Sequence, residues 1–137
     1  MFLVGACACA MHPAIADSTI PPDVVVQANR YASDAHTLLD SQLVDYPSAR
    51  FRNVRAHYSR RTLGGEHALT FCGEVNAKNT MGGYTGWAHF VLLPGDDPEF
   101  LIESDGLAGT FVSNMCTRDE KNWLSTDFTA AFAPPSH

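Results

Sequence analysis

The hydrophobic period of this chain switches once, from that of a helix to that of a strand, so a fold of a single secondary-structure class cannot accommodate it. After Pro21-Pro22 and Asp23 the apolar series Val24, Ala28, Tyr31, Ala35 and Leu38, with Val25, Ala32 and Leu39 beside it, recurs at spacings of four and three residues. That is one face of an α-helix. The prolines suit a helix's first turn and Asp23 suits its positive end, so the helix is expected from about Pro22 to about Val44, stopping before Pro47. Its polar face carries Asp34, Asp40 and Asp45 rather than lysines, which favours core packing over a membrane surface.

From Phe51 the period is two. Residues 51 to 60 alternate, and Gly64-Gly65 offers a tight hairpin turn. A two-residue turn there sets Val54 opposite Val75, Ala56 opposite Gly73, Tyr58 opposite Phe71, Arg55 opposite Glu74 and His57 opposite Cys72. One hairpin face then collects Val54, Tyr58, Phe71 and Val75, and the other Asn53, Arg55, His57, Glu74 and Asn76. A third strand is expected from Tyr84 to about Leu93, central because Phe90 to Leu93 are apolar on both faces. Phe100 to Glu103 and Gly109 to Ser113 read as two more strands. Thr117 to Ser125 reads as a short helical turn, and the Pro134-Pro135 tail as frayed. The expected fold is α+β: one long N-terminal helix packed on an antiparallel sheet of four to five strands.

The uncharged run from Phe2 to Ala16, ending Ala14-Ile15-Ala16, has the small-x-small close of a secretory signal peptide. Residues 17–137 then form the single domain, in a periplasmic or secreted protein. An alternative takes Val4-Gly5-Ala6 as a lipobox, with a lipid anchor through Cys7. Cleavage after Ala16 leaves Cys72 and Cys116 of the chain's 4 cysteines, and a pair in an exported protein reads as a disulfide. No other stretch holds the ~20 apolar residues of a membrane span. A formal charge of −6 argues against nucleic acid as partner, since neutralising phosphates needs a basic surface.

The stretch Cys72-Gly73-Glu74-Val75-Asn76-Ala77-Lys78-Asn79-Thr80-Met81-Gly82-Gly83-Tyr84-Thr85-Gly86 joins a strand pattern to a glycine-rich turn dense in amide side chains. Together with Tyr46-Pro47-Ser48-Ala49-Arg50-Phe51-Arg52-Asn53-Val54 it resembles a family of short, exported proteins of proteobacteria and their prophages. The resemblance spans roughly Tyr46 to Phe90 and brings no activity with it. Met81 stands where an aromatic residue is common in that pattern, and Trp87-Ala88-His89 replaces an aromatic-basic segment. Physically, Asn76 and Asn79 can bond to turn backbone, and Gly82, Gly83 and Gly86 permit positive φ. These residues either only build the turn or make it a rigid recognition loop, with Tyr84 and Trp87 as anchors.

Arg50, Arg52, Arg55, Arg60 and Arg61 gather more than half of the 9 Lys and Arg residues in one region. They suit an acidic partner or a carboxylate-bearing glycan, or else they guard an edge strand. His57 opposite Cys72 suggests a small Cys-His hydrolase or transferase, which a Cys72–Cys116 disulfide excludes. His57, His67 and His89 lack the paired spacing of a metal site, and no cofactor motif stands out. The expectation is a non-enzymatic exported binding protein, specifically an immunity or inhibitor protein against an envelope-targeted toxin or hydrolase. Its binding residues would be Asn76, Asn79, Gly83, Tyr84, Trp87, Arg52 and Arg55. A small-ligand module with an apolar cavity between helix and sheet is a further alternative.

Overall fold

The computed structural model describes residues 20–60, 67–104, 106–117 and 122–135, so the expected signal peptide, Cys7 and the Gly64-Gly65 turn lie outside the described residues. The fold is α+β. Helix α1 (Pro22–Gln42) precedes a four-stranded antiparallel meander of β1 (Arg50–Arg60), β2 (His67–Asn76), β3 (Ala88–Leu93) and β4 (Glu99–Ile102). Two shorter helices follow, α2 (Leu107–Cys116) and α3 (Thr129–Phe132).

Val24, Ala28, Ala32, Ala35 and Leu39 form the buried stripe of α1, while Tyr31 and Leu38 sit at its margins. Three alanines in that stripe let the helix lie close against large side chains of the sheet and of α3. There Phe51, Phe71, Phe90, Phe128 and Phe132 interlock, with ring centroids 5.3 Å apart for Phe71 against both Phe128 and Phe132. Burying each such ring contributes about 1.5–3 kcal/mol. These side chains pack into the space between helix and sheet.

The C-terminal segment, expected to fray near Pro134-Pro135, is anchored immediately before those prolines. Leu124 N–H donates to Ala56 O and Phe128 N–H to Val54 O, both at 2.9 Å, so this segment covers the outer edge of β1. Tyr46 Oη donates to Phe132 O at 2.8 Å, beside His36 Nδ1. Burial first, and the charge of Asp40 second, push the Tyr46 hydroxyl up to about 12.

The hairpin register differs from the expected one in two steps. Over Arg55 to Arg60 each partner is displaced by two residues, so that Tyr58 faces Leu69, His57 faces Thr70 and Arg55 faces Cys72. A displacement of two keeps every side chain on its face, which is why the expected core face is the observed one. The pairing then shifts again between Arg52 and Arg55, and Arg52 faces Glu74. Asn53, with φ of 55°, is the bulged residue that absorbs this shift.

Two expected strand assignments give way to packing. β3 begins at Ala88, not Tyr84; Tyr84 makes only an isolated bridge to Lys78. Gly109 to Ser113 is helix rather than a fifth strand. Its Val112 packs with Met115 and Cys116 on the outer side of the sheet, over Val91, Leu93 and Leu101. That second layer explains why β3 is apolar on both faces. Of the expected helical turn at 117–125, residues 118–121 lie outside the described ones, and Trp123 forms a bridge to His57.

Candidate functional site

The bulge at Asn53 decides what the outer face of the sheet presents. In an unbroken strand Arg52 and Arg55 point to opposite faces; with one residue inserted between them they share a face, together with Arg50. Each of the three guanidinium groups lies over an aromatic ring. Arg50 sits 5.1 Å from the Tyr84 centroid, Arg52 4.0 Å from Trp87 and Arg55 5.3 Å from Trp123. These are cation–π distances, and they hold long, flexible side chains flat against the surface.

Charge along this face is partly cancelled. Arg52 donates to both carboxylate oxygens of Glu74, through Nε at 3.1 Å and Nη2 at 3.0 Å, and Asn53 Nδ2 adds a third bond at 2.9 Å. The bonds from Arg52, then from Asn53, hold the Glu74 carboxyl below its ordinary range. The expected Arg55–Glu74 pair is therefore replaced by Arg52–Glu74, a consequence of the bulge. Asp127 accepts from the Thr129 hydroxyl and, at 2.8 Å, from Thr129 N–H, and its carboxyl lies low for those reasons first, with the charge of Arg55 a lesser cause.

The turn between β2 and β3 is braced from within. Asn79 Oδ1 accepts from Met81 N–H at 3.0 Å and Gly83 N–H at 3.1 Å, and Asn76 Oδ1 accepts from Gly86 N–H at 3.0 Å. Gly82 and Gly86 adopt φ of 83° and 92°, a region closed to most side chains. Tyr84 Oη donates to Ser48 O at 2.9 Å, and Lys78 Nζ lies 5.5 Å from the same ring and 3.8 Å from Asp45 Oδ2. Asn76, Asn79 and Gly83 are thus turn-building residues. Tyr84 and Trp87, 42 % and 40 % exposed, are held by cations, whereas Met81 at the apex is 92 % exposed. Met81, noted in the sequence as standing where an aromatic residue is common, is not among the expected binding residues; its signal is an apolar side chain set between Thr80 and Gly82.

Next to this turn, an open cleft of about 760 Å³ lies on the outer face, bounded by Asn53, Arg55, Glu74, His89, Thr117 and Trp123, with the disulfide and Gly73 among its walls. The site residues expected from sequence divide accordingly. Arg55 lines the cleft, Arg52 braces Glu74 at its wall, and the remaining five belong to the turn. Trp123, His89 and Thr117 complete the cleft and were not among the expected site residues; pairing of β2 with β3 sets His89 opposite Glu74, and the bridge to His57 places Trp123.

Cys72 and Cys116 form a disulfide, with Cα atoms 5.8 Å apart. Cys72 also lies opposite Arg55 rather than His57, so the Cys-His alternative has neither its thiolate nor its expected pairing. His57 is buried against Trp123, the ring centroids 5.0 Å apart. Among the described residues no group of 3 or more His, Cys, Asp or Glu side chains is placed to hold a metal ion, and no helix is long and apolar enough to cross a membrane. Comparison with protein-family models, with curated proteins and with solved structures finds no match.

Proposed function

We propose that this chain is a non-enzymatic, exported binding protein, acting in the periplasm or outside the cell, whose surface neutralises a toxin or hydrolase directed at the envelope. The observation that carries the reading is the braced turn. Asn76 and Asn79 satisfy the turn's amides internally, and the cation–aromatic contacts fix its two flanks, so Met81, Tyr84 and Trp87 are presented in one arrangement before any partner arrives. Preorganisation of this kind lowers the ordering cost of association. Tyr and Trp dominate interface hot spots, and Met adapts to irregular apolar surfaces. The Cys72–Cys116 bond supports an oxidising compartment, as does the resemblance of residues 46–90 to short exported proteins.

The reading is tested with the immobilised chain in a periplasmic extract, alongside co-expression with the product of the adjacent gene. A captured partner that is lost from Met81→Ser and Trp87→Ala variants of unchanged melting temperature, with protection from that product's toxicity, is the expected result. A chain that captures nothing and protects against nothing overturns the proposal. Variants that only unfold assign the turn a structural role.

A further inference from the structure

The cleft and the turn are adjacent but chemically different, and the cleft specifies more about a partner than the turn does. Its cation is Arg55, exposed on the sheet face, its guanidinium carbon 5.3 Å from the Trp123 ring centroid, and it makes no ion pair with any described residue. Glu74, which also lines the cleft, is already engaged by Arg52 and Asn53, and Asp127, whose carboxyl feels the charge of Arg55, by Thr129. A cation–π contact restrains a guanidinium while leaving its N–H groups able to donate. A planar fork of donors in a partly enclosed cleft is matched by a planar pair of acceptor oxygens.

We propose that this cleft binds a side-chain carboxylate of an acidic polypeptide, with Arg55 as its donor and His89 among its lining residues. The inference rests on the surface-binding reading above and deepens it by naming the chemistry of the partner. A polypeptide is favoured over an acidic sugar by the state of Trp123, the indole that lines the cleft. Arg55 lies over the Trp123 ring and the His57 ring meets it at 73°, so the platform on which a pyranose would pack is already occupied by side chains of this protein. The cleft is also open to solvent rather than enclosed, a shape that admits a side chain from a passing chain.

The test needs no identified partner. The full chain, labelled with ¹⁵N, is titrated by NMR with a hexaglutamate peptide, with hexaglutamine and with glucuronate. Saturable shifts are expected for hexaglutamate at the amides of Asn53, Arg55, Gly73 and His89, and none for hexaglutamine. Arg55→Gln is expected to weaken the peptide about tenfold or more, the worth of a charge-assisted hydrogen bond. Arg55→Lys, which retains charge and packing stem but not the fork, should fall between the two. Arg50→Gln, outside the cleft, should bind as the unaltered chain does. Shifts that fail to saturate, that survive Arg55→Gln, that depend equally on Arg50, or that arise with glucuronate and not with the peptide overturn the assignment. Because these probes bypass the turn, a negative titration leaves capture through Met81 and Trp87 standing, and a failed capture leaves the titration interpretable.

Discussion

Removing the disulfide should detach α2 from the sheet before the sheet itself melts. The bond joins residues separated by 44 positions, and the chain-entropy relation for a loop of that length gives about 4 kcal/mol. Against a total stability of about 5–15 kcal/mol for a domain, this is a large share. Its loss falls on the weakest element. α2 has ten residues, fewer than the ~12–15 at which an isolated helix becomes even marginal in water. It contains Gly109, which costs about 1 kcal/mol relative to alanine in a helix interior. Its one fully buried side chain is Val112, and burying that contributes about 1.5–3 kcal/mol. Urea denaturation of a Cys72→Ala/Cys116→Ala double variant, followed by circular dichroism, should show a loss near 4 kcal/mol, and a fall in melting temperature of roughly 15 °C. Hydrogen exchange should show amides of residues 107–116 losing protection while those of β1, β2 and β3 keep most of theirs. A loss below about 1 kcal/mol would refute the account; so would a Cys72 that alkylates in the native, unreduced protein.

Two further outcomes follow from particular contacts. Replacing glycine by alanine inside a helix ordinarily stabilises by about 1 kcal/mol, but a Cβ on Gly109 would stand 2.2 Å from Ser104 O, a backbone atom with little freedom to move. Gly109→Ala should therefore destabilise by about 1–3 kcal/mol, and an unchanged or raised melting temperature would show that α2 does not seat on residue 104. The second concerns Glu74, whose folded carboxyl titrates below its ordinary 4.5 because Arg52 and Asn53 bond to the charged form. A depressed carboxylate contributes stability that is full above the unfolded value and is lost as pH falls through the folded one. Acidification below 4.5 should thus destabilise the native chain more than an Arg52→Gln variant. NMR titration should place the Glu74 carboxyl higher in that variant, and coincident titration curves would remove Arg52 as the cause.

How far the sequence discloses this fold depends on which interaction decides each feature. Burial against one face decides α1 and the sides of β1 and β2, and burial writes a period that can be read directly: Val24 to Leu39 in one case, Val54 to Tyr58 in the other. It also makes Phe90 to Leu93 apolar throughout. The nature of the outer layer is another matter. Thr110-Phe111-Val112 is a sequence of strand formers, and a tether at Cys116, together with an apolar seat on Val91 and Leu101, overrides that propensity. Phe128 and Phe132, four residues apart on one side of α3, carry the signal of the anchored C-terminus, but so short a periodic segment has no weight until β1 offers an edge to cover.

The candidate site is legible to the same degree and for the same reason. Composition discloses a cluster of arginines and a turn of asparagines and glycines; it does not disclose that the arginines share a face. That depends on a single inserted residue, and asparagine is among the few side chains that accept positive φ, so Asn53 between Arg52 and Val54 is the only trace the bulge leaves. Without it, a strand that keeps Phe51 in the core and Arg52 on Glu74 would turn Arg55 toward the core and Val54 outward. The bulge is therefore favoured twice, by burial of Val54 at one face and by hydration and stacking of Arg55 at the other. The two gains are coupled, because both side chains follow from the same backbone step. A surface that forms as a by-product of core burial is held with the stability of the core, which is the property required of a face that must keep Arg55, Trp123 and the braced turn in register for a partner.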